Sequence, residues 1–412
     1  MQEAMLAVIL AATVGGLYVR PFGAKDWQVA SAGAAVAWVV GPLGIQGGID
    51  AIAHSTNLVA FFFGLMLISA GAEAAGLYQG TTRLIDMVPP SRPRLIAVAG
   101  ASVGITAVLS NDATPLVLTP AVLTERTRRN GFSRYAALTV TFMADGASLL
   151  LPFTNPVNLL FFDRFDLSFG QYLADITPAA AAGAFVMAVI LCARLPEELP
   201  EPSLGGPRTG GGQTLWAVGV VALLAGAYAW AGYAELPLGT VTVAGGLAMC
   251  GIARMGGTGR PLKIRSHVSF GVLTFVAALL VLVKSVSDAN TFSGLGEVLG
   301  HLESQPALAT ILSAAVVAMV LSNLMNNWPA ALVMVAVIAG VPGNHHTFVA
   351  GALIGSTIGA NLTILGSLST VFWLNLSANA RATFSAAEYA RRALVPTLAG
   401  LGAACLIASL LQ

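Results

Sequence analysis

The chain has 412 residues, of which 56% are hydrophobic and 9% are charged, and its mean hydropathy is +0.79. Soluble domains carry about 25% charged residues, so this composition excludes an ordinary water-soluble protein and indicates one whose main solvent is lipid. The formal net charge of +1 provides no surface for nucleic acid, and the three cysteines do not have the spacing of metal ligands. Residues 1–4 lack the basic start of a signal peptide.

Apolar runs long enough to cross a bilayer as helices, about 20 residues each, follow one another along the chain. The predicted spans are 5–19, 27–43, 57–78, 95–123, 135–162, 175–194, 215–233, 236–253, 268–286, 306–341, 347–376 and 393–411. Polar residues and prolines interrupt four of these spans, 95–123, 135–162, 306–341 and 347–376. Segment 195–214 is rich in Pro, Gly and charge, which predicts a cytoplasmic linker between halves 1–194 and 215–412.

The distribution of Lys and Arg predicts which loops face the cytoplasm. Basic loops flank segment 95–123 on both sides, so it is predicted to be a re-entrant hairpin that enters from the cytoplasm. Segment 306–341 has loops poor in Lys and Arg at both ends, which predicts a hairpin from the outside. The other loops predicted to lie outside are 44–56 and 163–174. The result is ten full spans and two hairpins, with both termini outside.

A weak internal repeat relates the two halves. The string SNDATP at 110–115 recurs loosely as SNLMNNWP at 322–329, an offset of 212 positions between Asn111 and Asn323. Each half holds five full spans, and because five is odd the halves must have opposite orientations. Inverted repeats with broken helices at their interface are typical of secondary transporters. We therefore predict an all-α polytopic membrane protein of two inverted five-span repeats, each with a re-entrant hairpin and a broken helix.

The polar residues at the four interruptions are candidates for a transport site. Non-helical backbone and carboxylates at membrane depth are tolerated only inside protein or against a wet cavity. Unpaired amides are costly there, so facing tips would bind a polar solute, one another or water. The alternatives with no transport role are polar caps between ordinary spans and helix packing by small residues. The predicted solute-binding residues are Asn111, Asp112, Thr114, Ser148, Thr154, Asn155, Asn158, Asn323, Asn326, Asn327, Asn361, Thr363 and Ser367.

Four strings at the interruptions, in chain order, resemble the ArsB arsenite efflux family of the ion transporter superfamily. They are SNDATPLVLTP (110–120), FMADGASLLLPFTNPVNLL (142–160), SNLMNNWPAALV (322–333) and IGSTIGANLTILGSLSTVFWL (354–374). The resemblance covers essentially the whole chain. It implies export of trivalent arsenic and antimony hydroxides, arsenite and antimonite, across the bacterial inner membrane, driven by protons or by an ArsA-type ATPase. One departure is that Thr357 stands where relatives often carry Asp.

Two acids at the interruptions, Asp112 and Asp145, are the predicted proton-coupling residues. Desolvation favours the protonated form of a carboxylic acid, so either residue could exchange a proton for the solute. No cofactor, metal or enzymatic activity is predicted. The competing interpretations are a sodium/proton antiporter, a transporter of silicate or of an anion, a membrane-embedded enzyme and a passive channel. Neither tip contains Lys or Arg, which disfavours a dicarboxylate solute.

Overall fold

The computed structural model describes most of the chain outside the longer loops and the central linker. The described residues are 2–19, 21–76, 85, 88, 91–123, 131–195, 219, 223, 226–227, 230–231, 234, 236–255, 261–262, 264–289, 300, 305–341, 345–380, 382 and 384–412. Every regular element in these ranges is helical. The predicted linker, except Leu195, and most of the predicted span 215–233 lie outside the described residues.

Eight longer helices, and a short 3-10 turn at Pro21–Gly23, form the described part of the first half. They are α1 (Gln2–Val19), α2 (Asp26–Val40), α3 (Gly44–Ala74), α4 (Arg92–Val108), α5 (Ala113–Val122), α6 (Gly131–Gly146), α7 (Pro156–Arg164) and α8 (Phe169–Ala193). Polar caps begin two of them. Ser91 accepts a hydrogen bond from the amide of Arg94, and Asn155 accepts one from the amide of Val157 with Pro156 at the first helical position.

Seven longer helices form the described part of the second half. They are α9 (Leu238–Met255), α10 (Phe270–Asp288), α11 (Ala307–Met325), α12 (Asn327–Ala339), α13 (His346–Thr357), α14 (Leu368–Asn379) and α15 (Ala386–Leu411). Two short 3-10 turns, Gly359–Leu362 and Ile364–Gly366, separate α13 from α14. By length and composition, α3, α8, α11 and α15 could each cross a membrane.

The four predicted interruptions are confirmed as breaks between consecutive helices: α4 and α5, α6 and α7, α11 and α12, and α13 and α14. The prediction of a loop at 44–56 is wrong, because α3 is continuous from Gly44. The turn before it needs only residues 41–43. The Trp38 indole closes this turn by donating to the Gly44 carbonyl at 2.6 Å, and Gly48 packs against the same indole.

The chain folds back on itself at the first interruption. The hydroxyls of Thr106 on α4 and Thr114 on α5 lie 2.7 Å apart. Eight residues along one straight helix would separate them by about 12 Å, so α4 and α5 form a hairpin.

The third interruption, between α11 and α12, is also a hairpin. Gly351, Gly355 and Gly359 pack against Ile311, Ala315 and Met319 in turn, so α13 runs parallel to α11. Only six residues connect the end of α12 to the start of α13. Helix α12 must therefore return from the end of α11 toward its start.

Close contacts at small residues fix the direction of the remaining helices. On α3, Gly64 and Gly71 pack against Thr242 and Met249, so α3 and α9 are parallel. Gly41 meets Ser285 and Trp27 meets Gly271, so α2 and α10 are parallel as well. Gly183 packs on Ala404 while Met187 packs on Gly400, so α8 and α15 are antiparallel. Small residues let membrane helices approach closely in this way.

Candidate functional site

Each hairpin tip docks on the break in the helix that follows it. In the first half, the amide of Asn111 donates to the carbonyl of Thr154 at 2.9 Å. In the second half, the Asn323 side chain donates to the Gly359 carbonyl and accepts from the Thr363 amide, both at 2.8 Å. These bonds occupy backbone groups that the helix ends leave free. An asparagine therefore binds the break in both units, through its backbone in the first and through its side chain in the second.

Asp145, at the end of α6, joins the two units. One of its carboxylate oxygens accepts from Asn111 at 3.0 Å, from Ser367 at 2.9 Å and from Ser369 at 2.8 Å. The other accepts from Thr370 at 3.1 Å. Three of the four donors belong to the second half, and the Asp145 side chain is 1% exposed. Asp145 is therefore a buried polar connection between the halves.

Several predicted site residues stabilise the first break from within. Thr154 and Asn158 both donate to the carbonyl of Ser148, and the Asn158 amide also reaches the carbonyl of Leu151. Asn155 donates to the Ser148 hydroxyl at 3.2 Å. All four polar side chains are buried. Their hydrogen bonds hold the non-helical backbone of residues 147–155 in one conformation.

Some buried carboxamides keep an oxygen without a partner among the described residues. Asn361 donates to the carbonyl of Phe142 at 3.2 Å, which is another link between the halves, but its own oxygen accepts nothing. The side-chain oxygens of Asn111 and Asn327 are in the same state. A buried amide oxygen without a partner costs about 1–3 kcal/mol. These oxygens could therefore accept a hydrogen bond from a solute or water, or coordinate a cation.

A large cavity leads to the tips from one face of the protein. Its volume is about 1210 Å³. At its mouth lie the start of α2, the end of α3 and the start of α10, including Lys25, Glu73 and Ser269. At its inner end lie Ser110, Asp112 and Asn326. Between them the walls are aromatic, with the rings of Phe62 and Phe275 at 6.0 and 5.8 Å from that of Trp328.

Asp112 and Asn326 are the two predicted solute-binding residues that line the cavity. The Asp112 carboxylate is partly exposed and makes no cap bond to α5, and no described residue donates a hydrogen bond to it. The Asn326 side chain donates to the carbonyl of Leu365 at 3.0 Å. The buried predicted residues, among them Thr114, Ser148 and Ser367, stand behind this surface.

Sequence reasoning missed two donors to Asp145, Ser369 and Thr370. A signal for Thr370 was present, because the 212-residue offset that relates Asn111 to Asn323 also carries Asn158 onto Thr370. The aromatic walls of the cavity were also missed. Phe62, Phe275 and Trp328 lie far apart in the sequence, and apolar residues in a membrane protein give no sign of whether they face lipid, protein or a cavity.

Comparison with known proteins gives three findings. A family model described as citrate transporter, CitMHS, matches residues 3–359. The arsenical pump membrane protein of Yersinia enterocolitica is 27% identical over 402 residues, 92% of each chain, and one from Escherichia coli is 26% identical over 83% of each chain. The solved Alcanivorax borkumensis YdaH transporter, reported to have an unusual topology, covers 93% of this chain and 96% of its own with a TM-score of 0.59 and 14% identity. The similarity to YdaH shows a shared fold.

Proposed function

Because the chain belongs to the CitMHS family of membrane transporters, we propose that it is a secondary active exporter of trivalent arsenic and antimony hydroxides in exchange for protons. The observation that carries the proposal is the meeting of the first hairpin tip and the two helix breaks around Asp145, behind the inner end of a large open cavity. The arsenical pump relatives support the choice of solute.

The transporter architecture that we propose has two inverted repeats with ten full spans and two hairpins. Support comes from helices related by the 212-residue offset. The offset carries α8 onto α15, and these two helices are antiparallel. It also carries α2 onto α9. Helix α9 runs parallel to α3, and α3 folds back on α2. Helices α2 and α9 are therefore antiparallel too.

The conformation is proposed to be open to the cytoplasm. The mouth of the cavity lies at the helix ends next to the basic loops, with Lys25 and the start of α10 on its rim, and basic loops face the cytoplasm. The termini are proposed to lie outside the inner membrane. In support, Gln2 donates to the carbonyl of Val40 at the end of α2, and Thr347 at the start of α13 donates to Gln412. Both of these contacts lie at the face opposite to the mouth of the cavity.

A neutral polyhydroxide suits the inner end of the cavity better than citrate. Arsenous acid is uncharged at neutral pH and presents hydroxyls, which Asp112 and Asn326 can bind as acceptor and donor. Citrate is a tricarboxylate, and the inner end offers it the Asp112 carboxylate. Among the described residues that line the cavity, Lys25 is the one basic side chain, and it lies at the mouth. Silicic acid shares the chemistry of arsenous acid and remains a competitor for the same site.

The two acids are proposed to have different roles. Asp112 faces the cavity, where it can meet both solute and proton. Asp145 is sealed behind the tips and bonded to both halves. A proton on Asp145 would remove its charge and one of its acceptor sites, so protonation there would loosen the connection between the halves. Asp145 is therefore the better candidate for coupling proton binding to a change of conformation.

Growth and vesicle assays test the proposal. A host without its own arsenite efflux should grow on arsenite and antimonite only when it expresses this chain. In everted vesicles, an imposed pH gradient, acid inside, should drive arsenite uptake without ATP. Asp145→Asn and Asp112→Asn should both lose this uptake, while Asp166→Asn, at an exposed position with φ 47 that Asn tolerates, should keep it. Uptake that requires ATP would instead favour an ArsA-type partner, and absence of protection would remove arsenite as the solute.

Sodium/proton exchange is the second candidate. The unpartnered amide oxygens of Asn111 and Asn361, both buried and one of them bonded through its amide to Asp145, are suitable ligands for a hard cation. Sodium-dependent collapse of a pH gradient in the same vesicles, in the absence of arsenite, would select this function.

A further inference from the structure

A row of buried polar groups lies on the side of α14 that faces away from the solute cavity. Leu368, Val371 and Phe372 line the cavity. Thr370, Trp373 and Ser377 do not, and each is 0% exposed. Their spacing of three and four residues places them on one stripe of the helix. The stripe runs from the level of Asp145 toward the end of α14.

Polar atoms along this row lack partners. The Trp373 indole N–H and the Ser377 hydroxyl make no hydrogen bond with any described residue, and neither does the hydroxyl of Tyr389 on α15. Tyr389 is 0% exposed, and its ring lies 5.8 Å from that of Trp373. Its hydroxyl has Thr141 and Thr370 as neighbours, but without the geometry of a hydrogen bond. Buried polar groups of this kind are usually satisfied by ordered water.

The inner end of the row is connected to Asp145. Thr370 donates to the Asp145 carboxylate at 3.1 Å, and the hydroxyls of Thr370 and Thr141 lie 3.2 Å apart. Asp145 therefore has one side toward the first hairpin tip and one side toward this row.

The outer end of the row reaches a charged cluster beside the basic loops. Ser377 is in the last turn of α14, and its carbonyl accepts from the amide of Ala382. The ring of Phe384 lies 4.8 Å from that of Trp373, and the Arg134 guanidinium lies 4.7 Å above it. Arg134 pairs with Glu388 at 3.2 Å, and both side chains are partly exposed. Water can thus reach the cluster.

We propose that this row holds a file of ordered water that carries protons between Asp145 and the cytoplasmic face, by a route separate from the solute cavity. The inference rests on the proposed proton coupling. Serine, threonine and tyrosine hydroxyls both donate and accept, so each can take a proton on one side and release its own on the other. The indole of Trp373 only donates, so it would anchor a water oxygen. For each proton that leaves, Asp145 becomes a carboxylate, every hydroxyl is re-formed, and one proton enters the water at the face.

Two transport modes in everted vesicles separate this role from a structural one. Gradient-driven arsenite uptake needs proton movement, whereas exchange of labelled for unlabelled arsenite at equal pH does not. Tyr389→Phe and Ser377→Ala should each slow gradient-driven uptake about tenfold, equivalent to about 1.4 kcal/mol, and leave exchange unchanged. Tyr135→Phe is the matched control, because the Tyr135 hydroxyl is buried but donates to the carbonyl of Leu191 at 2.8 Å. It should preserve both modes.

The results of these two assays either support or overturn the water file. Unchanged gradient-driven uptake in both variants would overturn the water file. An equal loss of uptake and exchange would show a structural role and would also overturn it. If the unmodified protein exchanges arsenite but does not respond to the gradient, the proton coupling in the proposed function fails, and the file fails with it. If it does not move arsenite in either mode, the proposed solute fails.

Discussion

Substitution of Asn326 tests whether its side chain is kept for function. Its backbone has φ 78° and ψ 153°, a region that almost only glycine occupies and that costs other residues about 1–3 kcal/mol. The side chain accepts from the amide of Trp328 at 3.3 Å and donates to the carbonyl of Leu365 at 3.0 Å. It also lines the inner end of the cavity. The tip therefore carries strain at a position where a solute would bind.

Replacing Asn326 with glycine and replacing it with alanine should have different effects on the free energy of unfolding. Asn326→Gly removes two hydrogen bonds, about 1 kcal/mol each, but releases about 1–3 kcal/mol of strain, so the free energy of unfolding should stay close to that of the unmodified protein. Asn326→Ala loses the same two bonds and keeps the strain, so this variant should be about 2 kcal/mol less stable. Thermal unfolding in detergent, followed by tryptophan fluorescence, ranks the three proteins.

Transport should fall in both variants despite their different stabilities. Loss of one hydrogen bond to a neutral solute is worth about 0.5–1.5 kcal/mol, which raises the KM for arsenite by between about twofold and about tenfold. The KM is measured from arsenite uptake in everted vesicles. Equal stability of the Gly and Ala variants would refute the strain, and an unchanged KM in the Gly variant would remove Asn326 from the solute site.

Three further predictions concern the thiols, a helix interface and a hairpin. Alanine at all three cysteines should leave arsenite uptake in vesicles intact, because none of them lines the cavity; they are Cys192, Cys250 and Cys405. Gly71→Leu should reduce the monodisperse fraction on size-exclusion chromatography, since a Cβ there would lie 2.8 Å from the backbone of Met249 and overpacking costs about 1–3 kcal/mol. Thr106→Val should lower stability by about 1 kcal/mol in thermal unfolding, because it removes the 2.7 Å bond to Thr114, and it should leave the KM unchanged.

The positions of the four breaks could be predicted because polar residues and prolines are unusual within segments that lie in lipid. Polar residues and prolines inside an apolar run leave backbone groups that no solvent can satisfy, and the chain breaks there, as at 109–112 and 358–367. The folding back of 95–123 and 306–341 was also predictable, from the charges of their flanking loops. The prediction at 44–56 was wrong because these residues include three glycines and few long apolar side chains, features shared by loops and by closely packed helices.

The direction of each polar side chain could not be predicted. An asparagine beside a break can bind the solute or the free backbone of the break itself, and its sequence context is the same in both cases. Asn158 donates to the carbonyls of Ser148 and Leu151 and does not line the cavity, while Asn326 donates to the carbonyl of Leu365 and lines the cavity as well. Only the path of the surrounding backbone decides between these arrangements, and that path depends on tertiary contacts such as the one between Asn111 and Thr154.

The chemical difference between the halves follows from the position of Asp145. The first half provides the carboxylate, and the second half provides three hydroxyl donors, from Ser367, Ser369 and Thr370. In the proposed exchange the halves would move against each other, so these bonds would have to change. An ionised Asp145 holds all its donors and resists the movement, whereas a protonated one has fewer acceptor sites and weaker bonds. In the same proposal, a solute at Asp112 would act on these bonds through the adjacent Asn111, which donates to Asp145. The proton and the solute would thereby act on one carboxylate from opposite sides, which is the arrangement that exchange between them requires.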